Sequence, residues 1–414
     1  MPVLNEMKPP STLHLWSAFF AFCVIAVLLG GLDWYTASAA GAALPRLEAI
    51  SLQSIVKAKD ASVAFQRAAA AQSNTVLLYG SSELNARTRY RAGVFFSDAP
   101  TGFYVLSVGR PGTTSLIILQ KLASLGTALQ GKKVALSISQ PWMNEQIPRA
   151  SYYDGNFYIQ NASALIFQPA LSLDLKRAAA ERMLYYENTL ERDPVALLGA
   201  QLLVSNTPGH NALYYALLPL GMLDNLVYRF QDDAETLQLI QRLPTVRERV
   251  RPEKGPIDWE REAAKAAEQF RAESASNPYG MSDKQWQKLY ANYLTDPHLR
   301  WIDKTFKQRM LGALEWEDLE LTLRALQELG AKPLLLSMPL PRQYWQDLGV
   351  SPSVQDLYYQ RLASLAQKYN VPLRDFHEHA DDLEFMNDPM AHLSPKGWVY
   401  YDQALDAFYH DALQ

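Results

Sequence analysis

Three textures of hydrophobic and polar positions follow one another along this chain. Residues 15–32 read LWSAFFAFCVIAVLLGGL, an apolar run without a charge and close to the length a helix needs to cross a hydrocarbon core. Lys8 precedes the run and Asp33 follows it. That asymmetry predicts a cytoplasmic amino terminus and an extracytoplasmic remainder, so residues 1–36 are assigned as a cytoplasmic stub and transmembrane anchor. The small residues at 37–43 also suit a cleaved signal peptide, but the length of the run favours an anchor that is retained. A lipoprotein signal is excluded because Phe22, not a small residue, precedes Cys23. Residues 37–73 carry apolar positions at helical spacing and end in alanines, predicting a helical linker that spaces the anchor from the rest.

From residue 74 the texture becomes short apolar runs, each ended by a turn and followed by a helical pattern. Strands are predicted at 75–79, 103–108, 134–139, 333–338 and 371–376. Helices are predicted after Gly80, at 115–129, 318–329 and 354–369, and from Gly397. Such alternation predicts an α/β domain over 74–414, built on a parallel sheet flanked by helices on both faces. The middle, about 150–315, is aromatic-rich and then helical, with interruptions expected at Pro194, Pro208, Pro244 and Pro256. It reads as a largely helical insertion. The mixed charges at 247–261 read as a solvated surface.

Composition narrows the function classes. The 414 residues are 48% hydrophobic and 20% charged, which suits a folded chain with a large core. A net charge of −4 gives no global reason to bind a phosphate backbone, so no nucleic-acid partner is expected. The single cysteine, Cys23, lies in the apolar run. Disulfides, CxxC redox pairs and cysteine zinc sites are therefore excluded downstream.

In an open parallel sheet the ligand site lies at the carboxyl ends of the strands. After the first strand comes Gly80-Ser81-Ser82-Glu83, a tight turn in which Ser82 is a candidate nucleophile, with a helix N-cap as the plainer role. Near the far end, Asp388 stands four residues before His392. A serine needs a base to take its proton, and an imidazole base needs a carboxylate to fix its tautomer. The turn containing Gly109, Arg110, Gly112 and Thr113 offers backbone N–H groups to an oxyanion, or is simply a turn. Trp142 and Asn144 follow the third strand as candidate site-wall residues. His377 and His379, near Asp375 and Asp381, form a weak metal pattern that lacks the further ligands a tetrahedral site requires, and no metal site is assigned.

The turn at Ser82, the glycine turn one strand later and the late Asp388–His392 loop resemble the SGNH serine-esterase-like superfamily. Within it the chain resembles the DltD family of membrane-anchored proteins of D-alanyl transfer to teichoic acids. The matching stretches are Tyr79-Gly80-Ser81-Ser82-Glu83-Leu84, Ser276-Asn277-Pro278-Tyr279-Gly280-Met281, Glu315-Trp316-Glu317-Asp318-Leu319-Glu320-Leu321, Gly330-Ala331-Lys332-Pro333-Leu334-Leu335-Leu336, and 388–398 with its His392-Leu393-Ser394-Pro395-Lys396-Gly397-Trp398 ending. They cover about 75–403. Two departures stand out: the family's D-x-x-H is D-x-x-x-H here, and its S-P-x-W-F is Ser139-Gln140-Pro141-Trp142-Met143. The first leaves Asp382 or Glu384 as alternative acids.

The resemblance implies an SGNH-hydrolase-like fold and a serine acyltransferase without metal or organic cofactor. Ser82 would take a D-alanyl group, with His392 as base, Asp388 orienting it, and Gly109 or its neighbours holding the oxyanion. The acceptor would be an anionic, teichoic-acid-like envelope polymer. Implied partners are a membrane-bound O-acyltransferase and, indirectly, a D-alanyl carrier protein. A general SGNH esterase or O-acetyltransferase, and a non-enzymatic scaffold recruiting the carrier, are the competing readings.

Overall fold

The computed structural model describes residues 13–50, 60, 62–99, 101–243, 256–299 and 301–413. The stub with Lys8, residues 51–59 and 61 of the expected linker, Pro244, and the 247–255 part of the mixed-charge stretch lie outside the described residues.

Five parallel strands form one sheet of order β2-β1-β3-β4-β5. They are β1 (Thr75–Gly80), β2 (Tyr104–Gly109), β3 (Lys133–Ile138), β4 (Lys332–Ser337) and β5 (Leu373–Arg374). Alternate side chains enter opposite cores, as the period of two requires. Leu77, Tyr79, Leu136 and Leu335 face one core; Val76, Leu78, Ala135, Leu334 and Leu336 face the other. Both faces are covered, which is why these strands read as continuous apolar runs. The predicted α/β class and parallel sheet are thus observed.

Among the described helices, numbered here where the account uses them, the first face carries α2 (Val63–Ala71), α4 (Ser115–Leu125), α5 (Ile159–Phe167), α6 (Leu173–Leu184), α7 (Pro194–Ser205), α10 (Glu315–Glu328) and α11 (Pro352–Lys368). The second face carries α3 (Ala92–Asp98), α9 (Trp259–Arg271) and α12 (Pro395–Tyr409). The long α8 (Pro208–Arg242) joins the first-face bundle through Tyr214. The described residues between β3 and β4 are largely helical, and they reach both faces, since α9 packs on α12.

Several local expectations are corrected. No long helix follows Gly80: Ser82–Asn85 is a single 3-10 turn, and α3 begins only at Ala92. The last strand shrinks to two residues because Pro372 has no N–H for the ladder and Phe376 turns into the left-handed region at φ +53. Pro194 and Pro208 begin helices rather than interrupt them, at the first-turn positions where the missing N–H costs nothing.

The amino-terminal helix α1 (Leu13–Ile50) contains the stretch Leu15–Leu44, long and apolar enough to cross a membrane by length and composition. Leu15, Trp16, Phe19, Phe20 and Phe22 are exposed, whereas Thr36, Ala40, Ala43 and Leu47 are buried against the rest of the protein. The alanine-rich run is no free spacer. As α2 it is buried through Phe65 and Ala68 to Ala70, and its first N–H groups, of Val63 and Ala64, donate to Asp232 of α8 at 3.1 and 2.7 Å.

Candidate active site

The carboxyl end of β1 places a serine in a tight turn. Gly80 is required there, because a Cβ would lie 2.3 Å from Glu83 Oε1 and 2.9 Å from Ser137. The two serines of the turn then diverge. Ser81 is buried and its hydroxyl donates to the carbonyl of Arg110 at 3.3 Å. Ser82 is half-buried, and its Oγ lies 3.1 Å from His392 Nε2.

His392 and Asp388 come from the loop between β5 and α12. His392 Nδ1 is hydrogen-bonded to Asp388 Oδ2. Asp388 Oδ1 accepts the N–H groups of Met390 (3.0 Å) and Ala391 (3.1 Å), a side-chain-closed turn that accommodates the extra residue of D-x-x-x-H. The loop is held on both sides. Asn387 N–H donates to His392 O at 2.8 Å, Ser282 N–H donates to Asn387 O at 2.9 Å, and Trp345 Nε1 donates to Pro389 O at 3.1 Å. Next to Ser282, Gly280 at φ +64 allows the chain to approach Leu383 closely, since a Cβ would sit 2.1 Å from Leu383 O.

The His392 to Trp398 segment is explained by packing. Leu393 and Trp398 are buried. Ser394 caps α12 by accepting from Gly397 N–H at 3.1 Å, and Pro395 occupies the first turn. Lys396 pairs with Asp382 at 2.7 Å.

Electrostatics couple the three side chains. Burial works against charge on Asp388, yet the charge and hydrogen bond of His392 and two backbone N–H groups hold its carboxyl below the usual range. Burial likewise disfavours the imidazolium, but Asp388, with Glu83 farther off, raises His392 above its ordinary value. With Asp388 ionised, Nδ1 carries the proton, and Nε2 is left to accept from Ser82. The alternative acids are engaged elsewhere. Asp382 is bonded by His379 and Lys396, and these contacts overcome its burial to hold it down at about 2; Glu384 pairs with Arg271 and Lys396.

The other residues singled out in the sequence are placed as follows. Gly109 ends β2 beside Gly80, where a Cβ would be 2.6 Å from Gly80 O, and its carbonyl accepts from Asn85 Nδ2 at 2.9 Å. The Arg110 N–H is taken by Thr113 Oγ1 at 3.2 Å, and its guanidinium donates to Tyr158 OH at 2.8 Å. The Arg110 N–H is thus engaged within its own turn. Gly112, at φ +86, forms the turn beside Tyr152 and Asn156. Trp142 stands edge-on to Tyr152 at 4.9 Å, and both its Nε1 and the Asn144 Oδ1 are buried without a hydrogen-bond partner. His377 and His379 do not converge: His377 bonds Asp375 at 2.8 Å, while His379 faces Asp382 at 3.4 Å. Asp381 pairs with Arg342 at 3.4 Å.

Glu83 had no assigned role in the sequence. Its buried carboxylate accepts from Ser81 N–H at 2.7 Å and Ser139 Oγ at 2.8 Å, and burial pushes its carboxyl up. It thus clamps the Ser81–Ser82 turn to the end of β3. It also takes up the N–H before Ser82, whereas the Ser82 N–H, at the first position of its turn, has no intrahelical acceptor. An acid directly after a turn serine was the available signal.

The molecule is thus an α/β protein with a parallel 2-1-3-4-5 sheet, and Ser82, His392 and Asp388 meet from two loops at its carboxyl edge. The comparison with protein families is more specific. The family described as DltD protein matches residues 52–410, and the chain belongs to the DltD family. It is 24% identical over 338 residues to Protein DltD of Bacillus subtilis (strain 168), covering 80% of this chain and 81% of that protein. Against Protein DltD of Staphylococcus aureus (strain NCTC 8325 / PS 47) it is 23% identical over 339 residues, covering 79% of each.

Proposed function

We propose that this protein is a membrane-anchored, extracytoplasmic serine acyltransferase that passes D-alanyl groups to hydroxyls of an anionic, teichoic-acid-like envelope polymer. The observation that carries the chemistry is the continuous hydrogen-bonded line from Ser82 Oγ through His392 to buried Asp388. Family membership carries the substrate class.

In the first half-reaction His392 Nε2 takes the Ser82 proton as Oγ attacks the donor carbonyl. The tetrahedral oxyanion is held by the Ser82 N–H and a donor from the Gly109 end of β2. His392 then returns the proton to the leaving group, leaving an acyl-serine. In the second half the polymer hydroxyl gives its proton to His392 and attacks the acyl carbon, and His392 passes that proton to Ser82 Oγ as the acyl-serine bond breaks. Asp388 keeps the imidazole in the required tautomer throughout. A membrane-bound O-acyltransferase is the proposed source of the D-alanyl group, and a D-alanyl carrier protein stands upstream of it. Each ester adds an ammonium to the polymer and weakens its attraction for cationic peptides.

The test is ester-linked D-alanine in the envelope of cells carrying only Ser82→Ala or His392→Ala at wild-type protein levels. Both variants are expected to lose it. Wild-type ester content in either would refute the enzymatic reading and leave a scaffold.

A further inference from the structure

Away from the site, one face of α8 is apolar and uncovered. Residues 194–223 contain no Asp, Glu, Lys or Arg. Leu213, Leu220, Leu223, Leu226 and Val227 are all exposed, Leu213 to 58% and Leu223 to 55%. Their spacing places them along one stripe of the helix. The opposite face is seated on the protein: Tyr214 stacks on Phe167, and a Cβ at Gly221 would collide with the same ring. Along α8 the stripe turns polar at exposed Gln231 and Glu235. An apolar patch of this extent marks an interaction surface.

The anchor helix indicates what covers it. Arg229 of α8 donates to Asp33 of α1 at 2.8 and 2.5 Å, and Arg46 of α1 donates to Leu243 O at 2.7 Å. The two contacts are separated by nearly the same number of residues on both helices, so α1 and α8 run side by side in the same direction there. Trp34 and Tyr35, exposed just past the apolar run, are the side chains that settle at a membrane–water boundary. Going back from Asp33, α1 enters the lipid; going back from Arg229, α8 presents its stripe. Apart from the Tyr215 hydroxyl, its fully exposed side chains between residues 212 and 227 are apolar, the half-buried Asp224 and Asn225 being the polar side chains among them, which suits acyl chains better than a polar-rimmed protein contact.

We infer that the 213–227 stripe of α8 is a second membrane contact, entering the acyl region alongside α1 from the leaflet where α1 emerges. The inference rests on the reading of α1 as an anchor. Two points of attachment, tied by the Asp33–Arg229 pair, fix the orientation of the catalytic edge over the bilayer.

The test uses the full chain in vesicles of phosphatidylcholine and phosphatidylglycerol. With Cys23→Ala, single cysteines at Leu213→Cys, Leu220→Cys, Leu223→Cys and the exposed control Gln238→Cys carry an environment-sensitive fluorophore, and lipids brominated on the acyl chain quench it. Quenching several-fold stronger at the three stripe positions than at the control is expected. Native Cys23, labelled in the otherwise unaltered protein, reports the anchor separately. Quenching at Cys23 with none along the stripe would overturn the inference, keep the anchor and point to a protein partner. No quenching at Cys23 would refute the anchor and the inference with it.

Discussion

Asp388→Asn isolates the part of the site on which the proposed chemistry depends. Asp388 is 1% exposed, one oxygen bound to His392 Nδ1 and the other to the N–H groups of Met390 and Ala391. An asparagine of the same shape keeps its carbonyl oxygen on those two N–H groups, which cannot accept. Its NH2 then faces Nδ1 and must donate, so the imidazole proton moves to Nε2. His392 would donate to Ser82 instead of accepting, and the base is lost. The same tautomer error in serine-protease triads lowers kcat on the order of 10⁴-fold, or roughly 5.5 kcal/mol of barrier. The residual activity should also respond differently to pH. In the wild type the neutral imidazole is the active form, so the rate falls as pH drops through the raised value of His392. Without the carboxylate only burial and distant Glu83 act, and the acid limb moves to lower pH. Hydrolysis of an activated aryl ester by the detergent-solubilised full chain, measured across pH, reads both effects. A rate within about tenfold of wild type, a barrier change of only ~1.4 kcal/mol, would refute the reasoning.

Glu83→Ala strips the acceptor from Ser81 N–H and Ser139 Oγ and opens a void, and should cost about 2–4 kcal/mol in urea unfolding; Glu83→Gln, which keeps the shape, should cost less, and equal losses would argue against the clamp. Gly109→Ala drives a Cβ against the Gly80 carbonyl, so a lower Tm and loss of ester hydrolysis are expected together, and an unchanged Tm would count against the close approach. Ser394→Ala removes the cap of α12 and should lower stability by ~1 kcal/mol, read by the same unfolding assay. Because His392 titrates above its ordinary value of 6.5 when folded, the stability it contributes is complete below that value and is lost as pH rises through the folded one. The unfolding free-energy difference between wild type and His392→Gln should therefore shrink from pH 6 to 9, and growth with pH would contradict the assigned shift.

The sheet was legible in the sequence because strands buried on both faces must be apolar at consecutive positions, as in Val76, Leu77, Leu78 and Tyr79. Strand ends carried the next layer of information: the turn after Tyr79 and the Asp388–His392 loop could be matched to chemistry before their distance was known. What local pattern did not carry was long-range pairing. The clamp of Glu83 on Ser139 joins residues far apart in sequence, and the engagement of the Arg110 N–H by Thr113 is a detail of turn geometry. Alanine spacing at 63–71 could not tell a spacer from a core helix, because burial there is decided by Asp232 and Thr236 of α8. Pro208 looked like an interruption, yet at a helix start its missing N–H is harmless.

The most direct measurement is the intact mass of the purified full-length protein after exposure to a serine-directed phosphonate, with the adduct mapped by peptide mass and Ser82→Ala treated alongside. The account predicts a single adduct on Ser82 that is absent from the variant and formed far more slowly in His392→Ala. An unmodified wild-type protein, or an adduct that persists in Ser82→Ala, would contradict it.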